Sequence, residues 1–285
     1  MPAFQNQATL SYNGISVTSN TVTGEIVDVL SATKTAVPKT YTEGGEVTYV
    51  INLVNSGTTA LTDITVDDDL GTYDFGEGTV IPLKYADDSV AYFINGVPQT
   101  TAPAVTSDRR LAFTGITVPA GGNSTIVYRA DVTEYAPLAS GGTIVNTATI
   151  LGEGINTPIT VTETVTASGT PKLSISKAVT PTTVTENGTL TYTFVIENTG
   201  SAEADASANI VVSDTFDPIL NPITVRLNGT TLAAGTDYTY DTATGVFATV
   251  PGKITVPVAT FTQDTTTGVW TVTPGTSELV VSGTV

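Results

Sequence analysis

A chain of 285 residues with no cysteine and no histidine has few side chains able to do covalent chemistry, and here lysine stands out among them. There are six lysines, and two of them, Lys34 and Lys177, occupy the same place in two copies of a repeat. Each is followed by an aspartate at a matching position, Asp68 in the first copy and Asp214 in the second. An asparagine, Asn146, closes the first copy. Buried together in an apolar core, these three residue types have the makings of an amide transfer. Burial disfavours the ammonium, so the lysine becomes a neutral nucleophile. The same burial favours a protonated carboxyl, which can polarise the asparagine amide and shuttle a proton. Folding supplies the proximity, and ammonia leaves. The bland alternative is that the lysines snorkel to water while the asparagine and aspartates cap strand ends.

Composition removes most other chemistries. Without Cys or His there are no disulfides, no Cys/His metal sites and no His-dependent triads. Twenty-seven acidic residues against ten basic ones give a net charge of −17, which sets the chain against nucleic acid and anionic membrane surfaces as partners. No apolar run approaches the roughly 20 residues needed to span a bilayer. The opening MPAFQNQATLSYNG has neither the basic nor the apolar region of a secretory signal. The acidic stretch DDDLGTYDFGEG (Asp67, Asp68, Asp69, Asp74, Glu77) lacks EF-hand spacing and its closing Glu, so it reads as a solvated loop; no metal and no cofactor is expected. Ser176 and Lys177 are adjacent in a strand and point to opposite faces, which leaves a turnover enzyme without support.

The elements that must position the trio are strands. EVTYVINLVN, TDITVDD, STIVYRADV, LTYTFVIEN and SELVVSGTV alternate apolar and polar residues between turn formers, the pattern of half-buried strands. Asn95-Gly96 and Asn228-Gly229 are hairpin dipeptides, and YTYDTATGVFATV and ATFTQDTTTGVWTVT read as two further hairpins. Trp270, Tyr238 and Tyr240 are strand aromatics, which usually pack rather than form a sugar platform. The expected class is all-β: two Ig-like antiparallel sandwiches in tandem.

The repeat is permuted. SATKTAVPKTYTEGGEVTYVINLVNSG matches SISKAVTPTTVTENGTLTYTFVIENTG, ITVDDDL matches IVVSDTF, and STIVYRADV matches SELVVSGTV at the end of the chain. The first copy then continues through GGTIVNTATILGEGINTPITVTETVTAS, for which the second has no equivalent. That tail reappears in residues 4–27, where Asn6, Ala8 and Thr9 fall on Asn146, Ala148 and Thr149. Three segments are expected: a donor-strand segment (1–31), a complete sandwich (32–169) and a sandwich lacking its last strands (170–285). A sandwich without its last strands has an open edge. The economical cure is strand addition by the N-terminal segment of a neighbouring copy, which makes the chain its own partner in a head-to-tail homopolymer. Folding back within one chain, or a disordered tail, remain as alternatives, and a monomeric adhesin-type module for sugar or matrix protein is the competing function.

The Lys34/Asp68/Asn146 set resembles the constellation that forms autocatalytic isopeptide crosslinks in Gram-positive pilin and adhesin domains. By that resemblance Lys34 would bond to Asn146. Lys177 and Asp214 have no asparagine after Asn228 to use, and the matching one is Asn6, so that bond would join neighbouring subunits. The spacing Lys34, Gly44 to Gly57, Val66 to Leu70 and Asn146 to Ala148, with its second copy at Lys177, Gly188, Asn198, Gly200 and Val212 to Phe216, resembles the conserved-repeat "domain of unknown function eleven" of bacterial surface proteins. Two such repeats in a chain of this size are similar to structural subunits of clostridial endospore appendages. This resemblance implies a spore-surface or extracellular structural protein, released by lysis rather than exported.

Overall fold

The computed structural model describes residues 3–25, 28–107 and 110–285. The fold is all-β, as the alternation requires. It begins with a long hairpin built from β1 (Ala3–Asn6), β2 (Thr9–Tyr12), β3 (Ile15–Thr18) and β4 (Val22–Glu25), in which β2 pairs with β3 and β1 with β4. Its turn is Asn13-Gly14, with φ of 46° and 76°, the geometry an Asn-Gly pair adopts at low cost. The segment expected to donate strands is therefore a hairpin.

The first sandwich runs through β5 (Leu30–Val37), β6 (Thr40–Tyr41), β7 (Glu46–Asn55), β8 (Leu61–Asp68), β9 (Tyr73–Phe75), β10 (Gly78–Val80), β11 (Leu83–Tyr85), β12 (Ala91–Ile94), β13 (Val97–Pro98), β14 (Ala104–Thr106), β15 (Leu111–Val118), β16 (Asn123–Val132), β17 (Thr143–Leu151) and β18 (Ile159–Ala167). One sheet has the order β13-β12-β16-β7-β5, with β11 also on β16; the other is β14-β15-β8-β17-β18-β6. Every ladder is antiparallel except the short β18–β6 pair. The inward positions of β7 and β16, among them Val47, Tyr49, Ile51, Leu53, Ile126 and Tyr128, are buried against Ile64, Val66, Phe113, Ile144 and Ile150 of the facing sheet. Because β5 starts at Leu30, which is buried in this core, the expected boundary after residue 31 falls inside a strand.

The second sandwich comprises β19 (Leu173–Thr180), β20 (Thr189–Asn198), β21 (Ser213–Thr215), β22 (Ile223–Leu227), β23 (Thr230–Thr231), β24 (Tyr238–Tyr240), β25 (Val246–Thr249), β26 (Thr260–Gln263), β27 (Trp270–Thr273) and β28 (Gly275–Thr284). The order β19-β20-β28-β22-β23 repeats that of the first sheet, strand for strand. The facing sheet is only β21-β25-β24. Counterparts of β17 and β18 are absent among the described residues, so β21 pairs with β25 and carries no strand on its other edge.

The hairpin β26–β27 has no counterpart in the first copy and packs on the first sandwich. Phe261, Trp270 and Val272 lie against that core, the Trp270 backbone N–H donates to the Glu134 carbonyl at 2.8 Å, and Gln263 Nε2 donates to the Tyr73 hydroxyl at 2.9 Å. Trp270 thus packs rather than presenting a sugar-binding face. Trp270→Ala is expected to lower stability by about 2 kcal/mol, less than a fully buried aromatic because the ring is only half-buried. A urea titration unchanged by the substitution would show that the hairpin does not brace the two sandwiches.

Candidate functional site

The first copy brings its three expected residues together. Lys34 lies mid-way along β5, Asp68 at the end of β8 and Asn146 in β17, all pointing into the space between the sheets. Register explains the convergence: β17 pairs with β8 so that Ala148 lies opposite Asp68, and alternation turns Asn146 to the same inner face. Lys34 Nζ donates to Asp68 Oδ2 at 2.7 Å, and both side chains are 0% exposed. Burial pulls the Lys34 ammonium below its ordinary value of 10.5, the Asp68 charge opposing that effect. The lysine does not snorkel.

Two tyrosines that the sequence reading passed over complete the site. The Tyr128 hydroxyl donates to Asp68 Oδ2 at 2.5 Å and accepts from Asn146 Nδ2 at 3.3 Å. Tyr49 stacks on Tyr128 with ring centroids 5.5 Å apart, and Lys34 Nζ sits 5.0 Å from the Tyr49 ring centre. Burial holds both phenols above their ordinary value, Tyr128 well above it. Among the described residues, Asn146 Oδ1 is buried with no hydrogen-bond partner, and so is the Tyr49 hydroxyl. A buried carbonyl oxygen with no donor is uncommon in a finished fold. Together the set brings an amine, a carboxyl in contact with it and an amide into one buried space between the sheets.

The acidic stretch is not a solvated loop at its centre. Asp68 is fully buried, its Oδ1 accepting from the Leu70 N–H at 3.0 Å. Asp69 Oδ1 accepts from the N–H groups of Gly71 and Thr147, and burial raises its carboxyl above the ordinary range. Asp67 pairs with Arg110 at the surface. No group of three or more acidic residues is arranged to hold a metal among the described residues. Asn55 and Asn198 are wholly buried: each gives its amide N–H groups to two carbonyls and accepts a backbone N–H two residues on, Gly57 or Gly200.

In the second copy Lys177 and Asp214 also form an ion pair, with Lys177 Nζ 4.6 Å from the Tyr192 ring centre. Here the surroundings differ. The Lys177 side chain is 42% exposed, and among the described residues no strand packs over β19 as β18 does over β5. Leu30 is 8% exposed and its counterpart Leu173 is 40%; Ile175, beside Lys177, is 56% exposed. The pairing partner of Tyr49 is Tyr128, whereas the pairing partner of Tyr192 is Val281. Phe216 takes over the stacking on Tyr192, at 4.9 Å, so the second site has the aromatic wall without the hydroxyl. Asn6 is exposed in the free hairpin, and its side chain makes no hydrogen bond among the described residues.

No protein-family model matches the chain, and no curated protein matches it in sequence. Among solved structures it is similar to the full-length major pilin SpaD of Corynebacterium diphtheriae, at 12% identity and a TM-score of 0.36, over 78% of this chain and 49% of that one. It is similar to the pilus backbone RrgB of Streptococcus pneumoniae, at 11% identity and a TM-score of 0.33, over 86% of this chain and 55% of that one. The collagen-binding subdomain of the Enterococcus faecalis surface protein ACE matches at 12% identity and a TM-score of 0.32, over 51% of this chain and all of that one. The chain spans about half the length of the two pilins.

Proposed function

We propose that the chain is the subunit of a surface fibre, extracellular or on a spore, in which the N-terminal hairpin of one copy completes the second sandwich of the next. One observation carries this reading. The second sandwich lacks counterparts of β17 and β18, and the chain owns a spare two-stranded hairpin of the same pattern. In β17 the inward residues are Ile144, Asn146, Ala148 and Ile150; in the hairpin Phe4, Asn6, Ala8 and Leu10 stand at the equivalent places, every one exposed. Carrying over the β17–β8 register puts Ala8 opposite Asp214, Thr9 opposite Ser213 and Leu10 opposite Val212. Asn6 then takes the place of Asn146, beside Lys177.

The energetics favour the exchange. Phe4, Leu10, Tyr12, Ile15, Val17 and Val22 are all more than two-fifths exposed in the free hairpin, as are Ile175 and Val211 on the open sandwich. Burying three such half-exposed side chains contributes about 2–5 kcal/mol, half of the roughly 1.5–3 kcal/mol each that full burial gives, and the edge of β21 gains its ladder. Donor and acceptor surfaces are different patches at different ends of the sequence. The contact is therefore head-to-tail and propagates as an open filament.

Within this reading Lys34 bonds to Asn146 inside each subunit, and Lys177 bonds to Asn6 between subunits once insertion has buried it. The orphaned Asn146 Oδ1 and the buried Lys34–Asp68 pair support the first bond; the second follows from the repeat. The test is to boil the purified full-length chain in denaturant, then resolve it on a gel and measure intact masses. A ladder of multimers, each species lighter by the expected ammonia losses, is the expected result. A single band one ammonia lighter restricts the chemistry to Lys34 and Asn146. A single band at full mass removes it altogether, leaving the filament to be judged by electron microscopy of the unboiled sample.

A further inference from the structure

We propose that Tyr128 is a catalytic residue of the first site, passing a proton from Asp68 to the nitrogen that leaves Asn146 as ammonia. This rests on the reading that Lys34 and Asn146 become bonded. Of the groups that surround Asn146, the Tyr128 oxygen is the one hydrogen-bonded to its Nδ2, at 3.3 Å, and it is tied to Asp68 Oδ2 at 2.5 Å. Asp68 Oδ2 is also the atom that receives the Lys34 ammonium, at 2.7 Å. One carboxylate oxygen thus stands between the amine that must lose a proton and a phenol in contact with the nitrogen that must gain one. The Asn146 side chain has no other hydrogen bond among the described residues.

The protons balance along that line. Lys34 passes one proton to Asp68 and attacks Asn146 Cγ as a neutral amine, and the carbonyl electron pair moves to Oδ1. In the tetrahedral adduct Nδ2 has become an amine with a free lone pair. Asp68 then gives its proton to the Tyr128 oxygen while the phenol proton moves to Nδ2. The Oδ1 electron pair re-forms the carbonyl, the Cγ–Nδ2 bond breaks and ammonia departs. The new amide nitrogen still carries an extra proton, which returns to Asp68. Tyr128 ends as it began, a neutral phenol, and burial keeps it in that form throughout.

The second copy has the lysine and the aspartate but Val281 in place of this tyrosine, with Phe216 filling the aromatic position. The relay is therefore a property of the intramolecular site alone. Bonding between subunits must proceed without it and is expected to be the slower of the two reactions, so that each subunit is locked before its neighbours are.

The test follows bond formation in full-length chain made by pulsed cell-free synthesis, quenched in denaturant at intervals and analysed by intact mass. Tyr128→Phe is expected to slow loss of ammonia about 100-fold, the lower range for a positioned general acid. Should Tyr128→Phe compromise folding, 3-fluorotyrosine at position 128 keeps the shape and makes the phenol more acidic. A rate that shifts with this acidity supports the relay, and an unchanged rate overturns it. Equal rates for wild type and Tyr128→Phe overturn the relay while leaving the crosslink intact. A wild-type chain that stays at full mass overturns both.

Discussion

A subunit that begins at residue 26 is expected to remain monomeric under conditions in which the whole chain forms fibres and a boil-resistant ladder. The cut belongs there and not after residue 31. Leu30 is buried in the first core and the Val29 carbonyl accepts from the Ser56 N–H at 2.8 Å, so a longer deletion would damage the first sandwich and confuse loss of assembly with loss of folding. The effect should be all-or-none, because head-to-tail growth needs the donor on every subunit. Fibres from the truncated chain, seen by electron microscopy, would rule the exchange out. Insertion into a neighbour is separated from folding back by introducing cysteines at Thr9 and Ser213 into this cysteine-free chain, positions the transferred register places opposite one another. With Asn6→Ala added, so that no amide can form between subunits, oxidation should then give multimers that collapse on reduction. A single faster-migrating monomer would mean that the hairpin closes on its own second sandwich.

Much of this arrangement was legible in the sequence, for identifiable reasons. Alternation fixes which face of a strand turns inward, so the repeat alone paired Lys34 with Asp68 and Asn146, and the order of its parts marked the second sandwich as short of its last strands. The Asn-Gly dipeptides declared their turns, because few residues adopt positive φ so cheaply; Asn95 and Gly96 stand at 48° and 76°. What the sequence hid were roles that depend on distance across the core. Tyr128 looks like any inward strand aromatic, and only its 2.5 Å approach to Asp68 distinguishes it. A signal was present nonetheless: STIVYRADV and SELVVSGTV differ at this one inward position by a phenol. The bracing hairpin β26–β27 was read correctly as a hairpin, but its packing on the first sandwich leaves no trace in local pattern. The burial of Asn55 and Asn198 follows from a detail pattern cannot carry: each bonds one carbonyl four residues on and one from a distant segment.

The other large effect concerns Asp68, and it is expected to exceed that of removing Asn146. Asn146→Ala prevents the crosslink within the subunit and leaves the Lys34–Asp68 pair in place, so the ammonia loss at Lys34 should disappear and the first sandwich lose roughly 4–5 kcal/mol, the unfolded-chain entropy that a covalent tie of this span removes. Asp68→Ala also prevents the bond, but it further leaves the Lys34 side chain, 0% exposed, without its counter-charge. Stranding one member of a buried pair costs about 3–5 kcal/mol more. Replacing both, Lys34→Met with Asp68→Leu, should recover most of that second loss, since a well-packed apolar pair is often no less stable than a buried ionic one. Urea titrations in the order Asn146→Ala, double variant, Asp68→Ala check the ranking, and an Asp68→Ala chain as stable as Asn146→Ala would mean that the lysine had escaped to water. The pH dependence of the Asn146→Ala chain makes the same point independently. Burial lowers the Lys34 value in the folded state below the unfolded 10.5, so between the two values the unfolded chain binds more protons. Lys34 therefore adds stability as pH increases through that window, and its contribution levels off above 10.5, whereas an exposed lysine would give no such slope. The raised phenols of Tyr49 and Tyr128 act in the opposite sense once pH passes the ordinary phenol value. The same fall in the Lys34 value increases the neutral amine in the wild-type chain, so the interaction that costs the unlinked fold stability at lower pH is the one that readies the nucleophile; once the amide has formed, no charge is left at Nζ to oppose burial.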